Sequence, residues 1–349
     1  MPRPRNVFLA FTLVLGMFMM TAADSYAAKY TFTYSTHSTP DSFQGSLQKT
    51  FLDEVERLTG GDVAFKIFWG ASLLNGDEVL NGVSTGIVDS GLVNINFFAK
   101  QLPFSNCLNT IQDSPGSYDA MLTFFNRAFA ELPQLTQELA KFNHEIMSVF
   151  AVMDEMLLST KPITKVTDVK GLKCRSASRW VLPLFTELGA TPVSVPWADC
   201  TMALQTNVID VVFSNLDAIN MVKMEDAAPN GLLFHGLVPS TPYLMSINAK
   251  KFHALPDSIK TKFKEAAASG QKAMAAEYEK WFKVIREAQV KAGYKIALAG
   301  KEDFTLWQNL KSIEGNKKVW VEEAQKAGIA NAQAFLDSVY QLFDATRVR

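Results

Sequence analysis

Four sets of residues in this chain are of a type that could do chemistry. The first is Arg175, set in the apolar run 172–176, LKCRS. A guanidinium keeps its charge and carries five N–H donors, so on a buried strand it needs an anion. Two partners fit: a fixed internal Asp or Glu, or a ligand carboxylate gripped by the paired hydrogen bonds a planar fork makes with a planar anion. The second is 82–86, GVSTG, which matches the G-x-S-x-G pattern of hydrolase nucleophiles. That nucleophile stands between a strand and a following helix. Here a helix pattern precedes and a strand pattern follows, so Ser84 is not expected to act. The third set, His37, His144, His235 and His253, is scattered and shows no metal-ligand spacing. No dinucleotide fingerprint or P-loop accompanies it, and neither metal nor cofactor is expected. The fourth is Cys107, Cys174 and Cys200, too few for a disulfide framework and odd in number. Cys174 and Cys200 flank adjacent strands and could pair in an oxidising compartment; the other reading makes all three small buried hydrophobes.

The elements that must position Arg175 run from 168 to 215. The pattern predicts a strand at 172–176, a helix at about 180–188, a strand at 192–195, a short helix at 199–205 and a strand at 208–213. Two successive βαβ units imply a parallel sheet with helices on its faces. Such sheets bind ligands beyond the carboxyl ends of their strands, and Arg175 lies near one. The chain opens in the same way. A strand at 29–35 leads to a helix with Phe43, Leu47, Phe51, Val55 and Leu58 on one face, stopped by Gly60 and Gly61, and then a strand at 63–68.

Two segments also echo each other. In 75–94, a short helix started by Asp77 stops at Gly86, turns through Ile87, Val88 and Asp89, and leads to a strand ending near Asn94. In 199–215, a short helix started by Asp199 stops at Asn207, turns through Val208, Ile209 and Asp210, and leads to a strand ending near Asn215. Two lobes built on one plan, with a small-molecule cleft between them, are expected. Residues 103–139 read as loops and a helix rich in Phe124, Phe125 and Phe129, and 144–159 as an apolar strand pair broken at Asp154 and Glu155, where the chain first crosses between lobes. Residues 256–293 read as one long helix and 301–346 as two amphipathic helices on the second lobe.

The 349 residues are 48% hydrophobic and 20% charged, with a formal net charge of -1. That suffices for two lobes with a core each, and it argues against a polyanion-binding face. No basic run interleaved with aromatics suggests nucleic acid. The first residues carry Arg3 and Arg5, an apolar stretch at 7–20, and Ser25 and Ala27 at the positions of a cleavage site. That is an export signal at 1–27, its apolar run too short to span a bilayer. No other segment is apolar enough to cross one, so the mature protein is expected in the periplasm.

Three pieces occur in a fixed order: D-x-K-G-L-K-x-R (Asp168, Gly171, Leu172, Lys173, Arg175), L-G-A-x-P (Leu188, Gly189, Ala190, Pro192) and A-L-Q-T-x-x-x-D (Ala203, Leu204, Gln205, Thr206, Asp210). With them the chain resembles, over nearly its whole length, the extracytoplasmic solute-binding proteins of TRAP transporters, the DctP family. The resemblance implies a two-lobed α/β periplasmic binding protein with hinged lobes, each with a mostly parallel sheet, and with the 256–293 helix spanning both. Lobe I is expected at 28–152 plus 241–280 and lobe II at 153–240 plus 281–349, the return crossover lying in 237–248. Within the family the Arg of G-L-K-x-R binds the carboxylate of the transported acid, which here is Arg175. Asn94 falls on the first-lobe side of the cleft, its other reading being a strand-end cap. Trp197 falls where a large apolar residue meets the ligand, or else packs in the core. Phe213, Ser214 and Asn215 end the last strand, where a polar side chain reaches the ligand. Direct count from Asp210 puts that side chain at Ser214, whereas the Asn is one step later, on the opposite face.

Glu155 is a departure, since many members have a second Arg at that spacing. It could neutralise Arg175 in an empty site, receive a cationic group of a zwitterionic solute, or point away. Trp69, Trp180 and Trp197 leave room for an aromatic or cyclic ligand. The expected function is capture of a small carboxylate solute for delivery to TRAP permease subunits, with lobes closing about crossovers near Glu155 and Ser240. The alternatives are an exported enzyme acting on a small organic acid and the ligand-sensing subunit of a signalling system.

Overall fold

The computed structural model describes residues 28–222, 224–236 and 241–348. The export signal at 1–27 and the part of the return crossover around Ser240 lie outside the described residues. Eleven strands form two sheets among the described residues: β1 (Tyr30–Ser35), β2 (Val63–Phe68), β3 (Ser90–Asn94), β4 (His144–Ala151), β5 (Glu155–Ser159), β6 (Lys173–Ser176), β7 (Thr191–Val193), β8 (Val211–Asn215), β9 (Asn230–Leu233), β10 (Pro242–Asn248) and β11 (Lys295–Leu298). The first sheet runs β2-β1-β3-β10-β4, the second β11-β9-β5-β8-β6-β7.

Each sheet is parallel except for the strand that follows a crossover. β10 enters the first sheet antiparallel to β3 and β4, and β5 enters the second antiparallel to β8 and β9. The geometry requires this. A chain that leaves one sheet at the carboxyl ends of its strands crosses a short gap and must run away from that gap in the other.

Local chemistry explains where the elements begin. Ser42 caps the helix Phe43–Leu58 by accepting from Gly45 N at 3.0 Å, and Phe43, Leu47, Phe51 and Val55 are buried along its inner face. The two apolar-apolar-Asp turns are one device used twice. Asp89 accepts from Thr33 N at 2.7 Å in β1, and Asp210 accepts from Lys173 N at 2.9 Å in β6, so each carboxylate ties a turn to the backbone of a parallel neighbour. This also moves β8. The strand expected at 208–213 starts at Val211 and ends at Asn215, because Asn207 takes a left-handed φ of 56° and Asp210 is spent on the tie. β3 lies tight against β1: a side chain at Gly91 would meet Ser35 O at 2.8 Å.

The helix Asp257–Lys291 has 35 residues and buries Ile259, Phe263, Ala266, Met274, Tyr278 and Ile285 along one stripe. At 1.5 Å per residue it is about 52 Å long, enough to run along both sheets. Phe263 meets Phe65 of β2 edge-on, Tyr278 stacks on Tyr118 with centroids 4.3 Å apart, and the chain then enters the second sheet as β11.

Two expectations are corrected. Residues 103–139 hold three helices, Pro103–Cys107, Tyr118–Glu131 and Pro133–Lys141. Residues 301–346 also hold three, Lys301–Gln308, Lys311–Lys326 and Ala332–Thr346, broken near Leu310 and at Gly328, whose φ is 87°. They do not all rest on the second sheet's side. Trp307 fills the second-lobe core, whereas Phe343 packs edge-on against Phe124 at 5.3 Å, beside the first sheet. The Phe-rich helix at Tyr118–Glu131 gives the last helix an apolar face to pack on, with Phe124, Phe125 and Phe129 all buried. Between them, Lys311–Lys326 joins both sides: Asn316 Nδ2 donates to Trp180 O at 2.6 Å and Trp320 Nε1 to Pro103 O at 2.9 Å.

Candidate ligand-binding site

The carboxyl ends of β1 and β3 face those of β6 and β8 around a cavity of about 530 Å³. This is where open α/β sheets bind ligands, because the strand ends leave backbone and loop groups free in a crevice. Arg175, one residue from the end of β6, stands in its wall and is only 3% exposed. Its Nε donates to Val195 O at 2.9 Å, and its guanidinium lies 5.7 Å from the centre of the Trp197 ring. Burial holds its pKa below the usual arginine range. Among the described residues it makes no ion pair. Of the two partners the sequence left open, a fixed internal acid is therefore not the one in the structure.

Glu155 opens β5, directly opposite Asn215 of β8. It is buried and borders the cavity. Its carboxyl has no hydrogen-bond or ion-pair partner among the described residues. Burial, followed by the charges of Asp217 and Asp154, pushes it up to about 8, with Arg175 pulling the other way. The two neighbouring acids are engaged. Asp154 accepts from His235 Nδ1 at 2.8 Å, Gly236 N at 3.1 Å and the Tyr278 hydroxyl. Asp217 accepts from Met153 N at 3.0 Å and Asn215 Nδ2 at 2.5 Å.

The other expected residues also border the cavity, in different ways. Asn94 Nδ2 donates to the Tyr243 hydroxyl at 3.0 Å and its Oδ1 accepts from Asn96 N at 3.0 Å, so it caps the turn after β3 as well as lining the wall. Trp197 sits half-buried on the single turn Trp197–Asp199 that follows β7. Phe213 stacks its ring on Trp307 and meets Phe185 and Phe234 edge-on in the second-lobe core, which fixes the strand end more than it reaches into the cavity. Asn215 is tied to Asp217, and the half-buried Ser214 hydroxyl donates weakly to Asn215 Oδ1 at 3.4 Å. Trp180 is elsewhere: it is buried and donates to Asn106 Oδ1 at 2.7 Å. The three cysteines are free and buried.

Sequence reasoning missed the polar groups of the first-lobe wall. His37 lies two residues past the end of β1, its ring edge-on to Tyr243 at 5.9 Å and Phe97 at 6.3 Å. Its Nδ1 is buried without a hydrogen-bond partner among the described residues, and burial brings the imidazole down to about 4, so it is neutral at pH 7. The carboxyl-end rule that singled out Arg175 applies equally to His37. Tyr243 is hidden inside the apolar run of β10, and only its register opposite Asn94 brings its hydroxyl to the site. Asn96, Asn109 and Thr241 continue this wall as a hydrogen-bonded chain, at 2.9 Å and 2.8 Å.

Two hinged α/β sheets presenting strand ends and a lone buried guanidinium to a shared cavity define a two-lobed binding protein for a small anion. The particular family follows from the sequence match: residues 34–322 fit the bacterial extracellular solute-binding proteins, family 7 (DctP), and the chain belongs to that family. Among its relatives is the 2,3-diketo-L-gulonate-binding periplasmic protein of Escherichia coli, 26% identical over 84% of this chain and 85% of the other. A marine-metagenome TRAP solute-binding protein specific for aromatic acids, solved with 3-hydroxybenzoate, superposes with a TM-score of 0.78 at 17% identity, covering 92% of this chain and 99% of that one. The Bordetella pertussis extracytoplasmic receptor that binds pyroglutamic acid gives 0.74 at 22% identity, covering 89% and 99%.

Proposed function

We propose that this protein is the solute-capturing subunit of a TRAP transport system, working in the periplasm and handing a small carboxylate to membrane permease subunits. One observation carries this reading: Arg175 is buried in the cavity wall with no internal counter-ion among the described residues. A permanent positive charge in that setting is costly until an anion arrives, so the ligand completes the site. The named relatives support a carboxylate, since diketogulonate, 3-hydroxybenzoate and pyroglutamate all carry one. The relatives' periplasmic location and the export signal read at 1–27 support the compartment.

Arg175 grips the carboxylate; Trp197 and Tyr243 supply aromatic surface in the cavity wall; Ser214 and Asn94 add hydrogen bonds. The sheets move as lobes about the two chain crossings, the first of them near Glu155, and closure excludes water, which strengthens the ion pair. Lobe I comprises 28–152 plus 241–280 and lobe II 153–240 plus 281–349, except that the last helix travels with the first. No bond of the ligand is made or broken. Thermal-shift screening of uronic, aromatic and cyclic amino acids tests this: stabilisation by a carboxylate is expected, and it should vanish in Arg175→Met. Conversion of any bound acid to product would overturn the reading, as would stabilisation by neutral sugars alone.

A further inference from the structure

The charges around the cavity are unevenly matched. Of the described residues that line it, Arg175 is the one cation, and Asp77 and Glu155 are the acids. Glu155 is faced by Asp154 on its own crossover, Asp217 on the helix Leu216–Met221, Arg175 on β6, Tyr243 on β10 and, across the cavity, neutral His37. Three buried carboxyl groups thus crowd together, and the Arg175 guanidinium pulls on Glu155 against the other two. Asp154 accepts from three donors and Asp217 from two, although burial raises the Asp217 carboxyl and leaves its Oδ2 without a partner among the described residues. Glu155 has none among the described residues, and of three crowded acids the one without donors keeps its proton.

We infer that Glu155 sets the charge class of the ligand: it meets the solute as a protonated acid, so the site takes a molecule with one ionised carboxylate and no second charge. This rests on the reading of the cavity as a carboxylate site. The ligand anion neutralises Arg175. The Glu155 carboxyl then offers one O–H donor and one carbonyl acceptor, and His37 one of each, to an uncharged polar group such as a lactam or hydroxyl. A second ligand carboxylate would meet acids with no cation left among the described lining residues. An ammonium group would have to displace the Glu155 proton. Above the point where Glu155 ionises, its own carboxylate competes with the ligand for Arg175, so anion binding takes up a proton.

Calorimetry with pyroglutamate and 3-hydroxybenzoate as monoanions, isophthalate as dianion and proline as zwitterion tests this at pH 7 and pH 9. The expectation is that at least one monoanion binds tenfold or more tighter at pH 7 than isophthalate and proline. Its affinity should fall about tenfold by pH 9, as linkage to a group ionising near 8 requires. In two buffers of different ionisation enthalpy, close to one proton should be taken up per ligand at pH 9. Glu155→Gln, which cannot ionise, should bind the monoanion about tenfold more tightly than the parent at pH 9 and lose the pH dependence. Affinity that stays level or rises with pH in the parent overturns the inference, as does proline or isophthalate matching the monoanions; either result leaves the carboxylate receptor standing. If no carboxylate binds, or if Arg175→Met binds as well as the parent, the proposed function fails and takes this inference with it.

Discussion

Arg175 shows how a residue can be costly for the fold and necessary for the ligand. Among the described residues its desolvated charge meets no internal anion, and its Nε donates to one backbone carbonyl, Val195 O. Replacing it by Met keeps the stem that packs beside Trp197 and removes the desolvated charge. The ligand-free protein is therefore expected to unfold no more easily as Arg175→Met, by chemical denaturation. Carboxylate affinity should fall by about 2–5 kcal/mol, the range for losing one side of a buried charge pair, as titration calorimetry would read. The sequence alone located this residue, because an Arg in an apolar strand is a conspicuous exception. It could not say whether an acid elsewhere in the chain had already claimed it.

At the level of elements, the strand ends are set by packing behind the site. Phe213 anchors β8 in a cluster with Phe185, Phe234 and Trp307, so Ser214 and Asn215 reach the cavity at a fixed depth. Phe213→Ala should cost about 3–5 kcal/mol of unfolding free energy, the cost of removing a fully packed ring. Phe213→Leu should cost less than about 1.5 kcal/mol, and urea titrations of the two variants would check both figures. The repeated turns at Asp89 and Asp210 explain why the echo between the two lobes could be read from sequence: the Asp is needed for a local tie in each. The boundaries of β8 were harder to read. Val208 and Ile209 continue the apolar pattern of the strand, yet the left-handed Asn207 and the tie at Asp210 delay its start.

For the molecule as a whole, Asp154 is the fastening of the hinge. It sits between β4 and β5 and takes hydrogen bonds from the long helix through Tyr278 and from the return crossing through His235 and Gly236. Tyr278→Phe should lower unfolding free energy by about 1–3 kcal/mol, since it leaves a buried carboxylate short of a donor. His235 adds a pH dependence. Its hydrogen bond to Asp154, more than the accompanying charge, raises its pKa above the ordinary value. A histidine raised in this way contributes stability that is complete below its unfolded value near 6.5 and is lost as pH climbs through the folded value. The stability gap between the parent and His235→Gln should therefore shrink from pH 6 to pH 8. The half-exposed ring limits that change to about 1 kcal/mol or less, measurable by denaturant unfolding at each pH.

The periodic elements, the two-lobe plan and the conspicuous arginine are legible in the chain, because each is written in neighbouring residues through hydrophobic period, turn chemistry and charge in an apolar run. What meets across the cleft depends on how distant segments fold together. Asn94 and Tyr243 are 149 positions apart, and Asp154 and Tyr278 are 124 apart. His37 acquires a nitrogen, and Glu155 a carboxyl, without a partner among the described residues only when two sheets close around them. The last helix packs its Phe343 against Phe124, more than 200 positions earlier in the chain, and no local pattern records a surface that distant segments assemble.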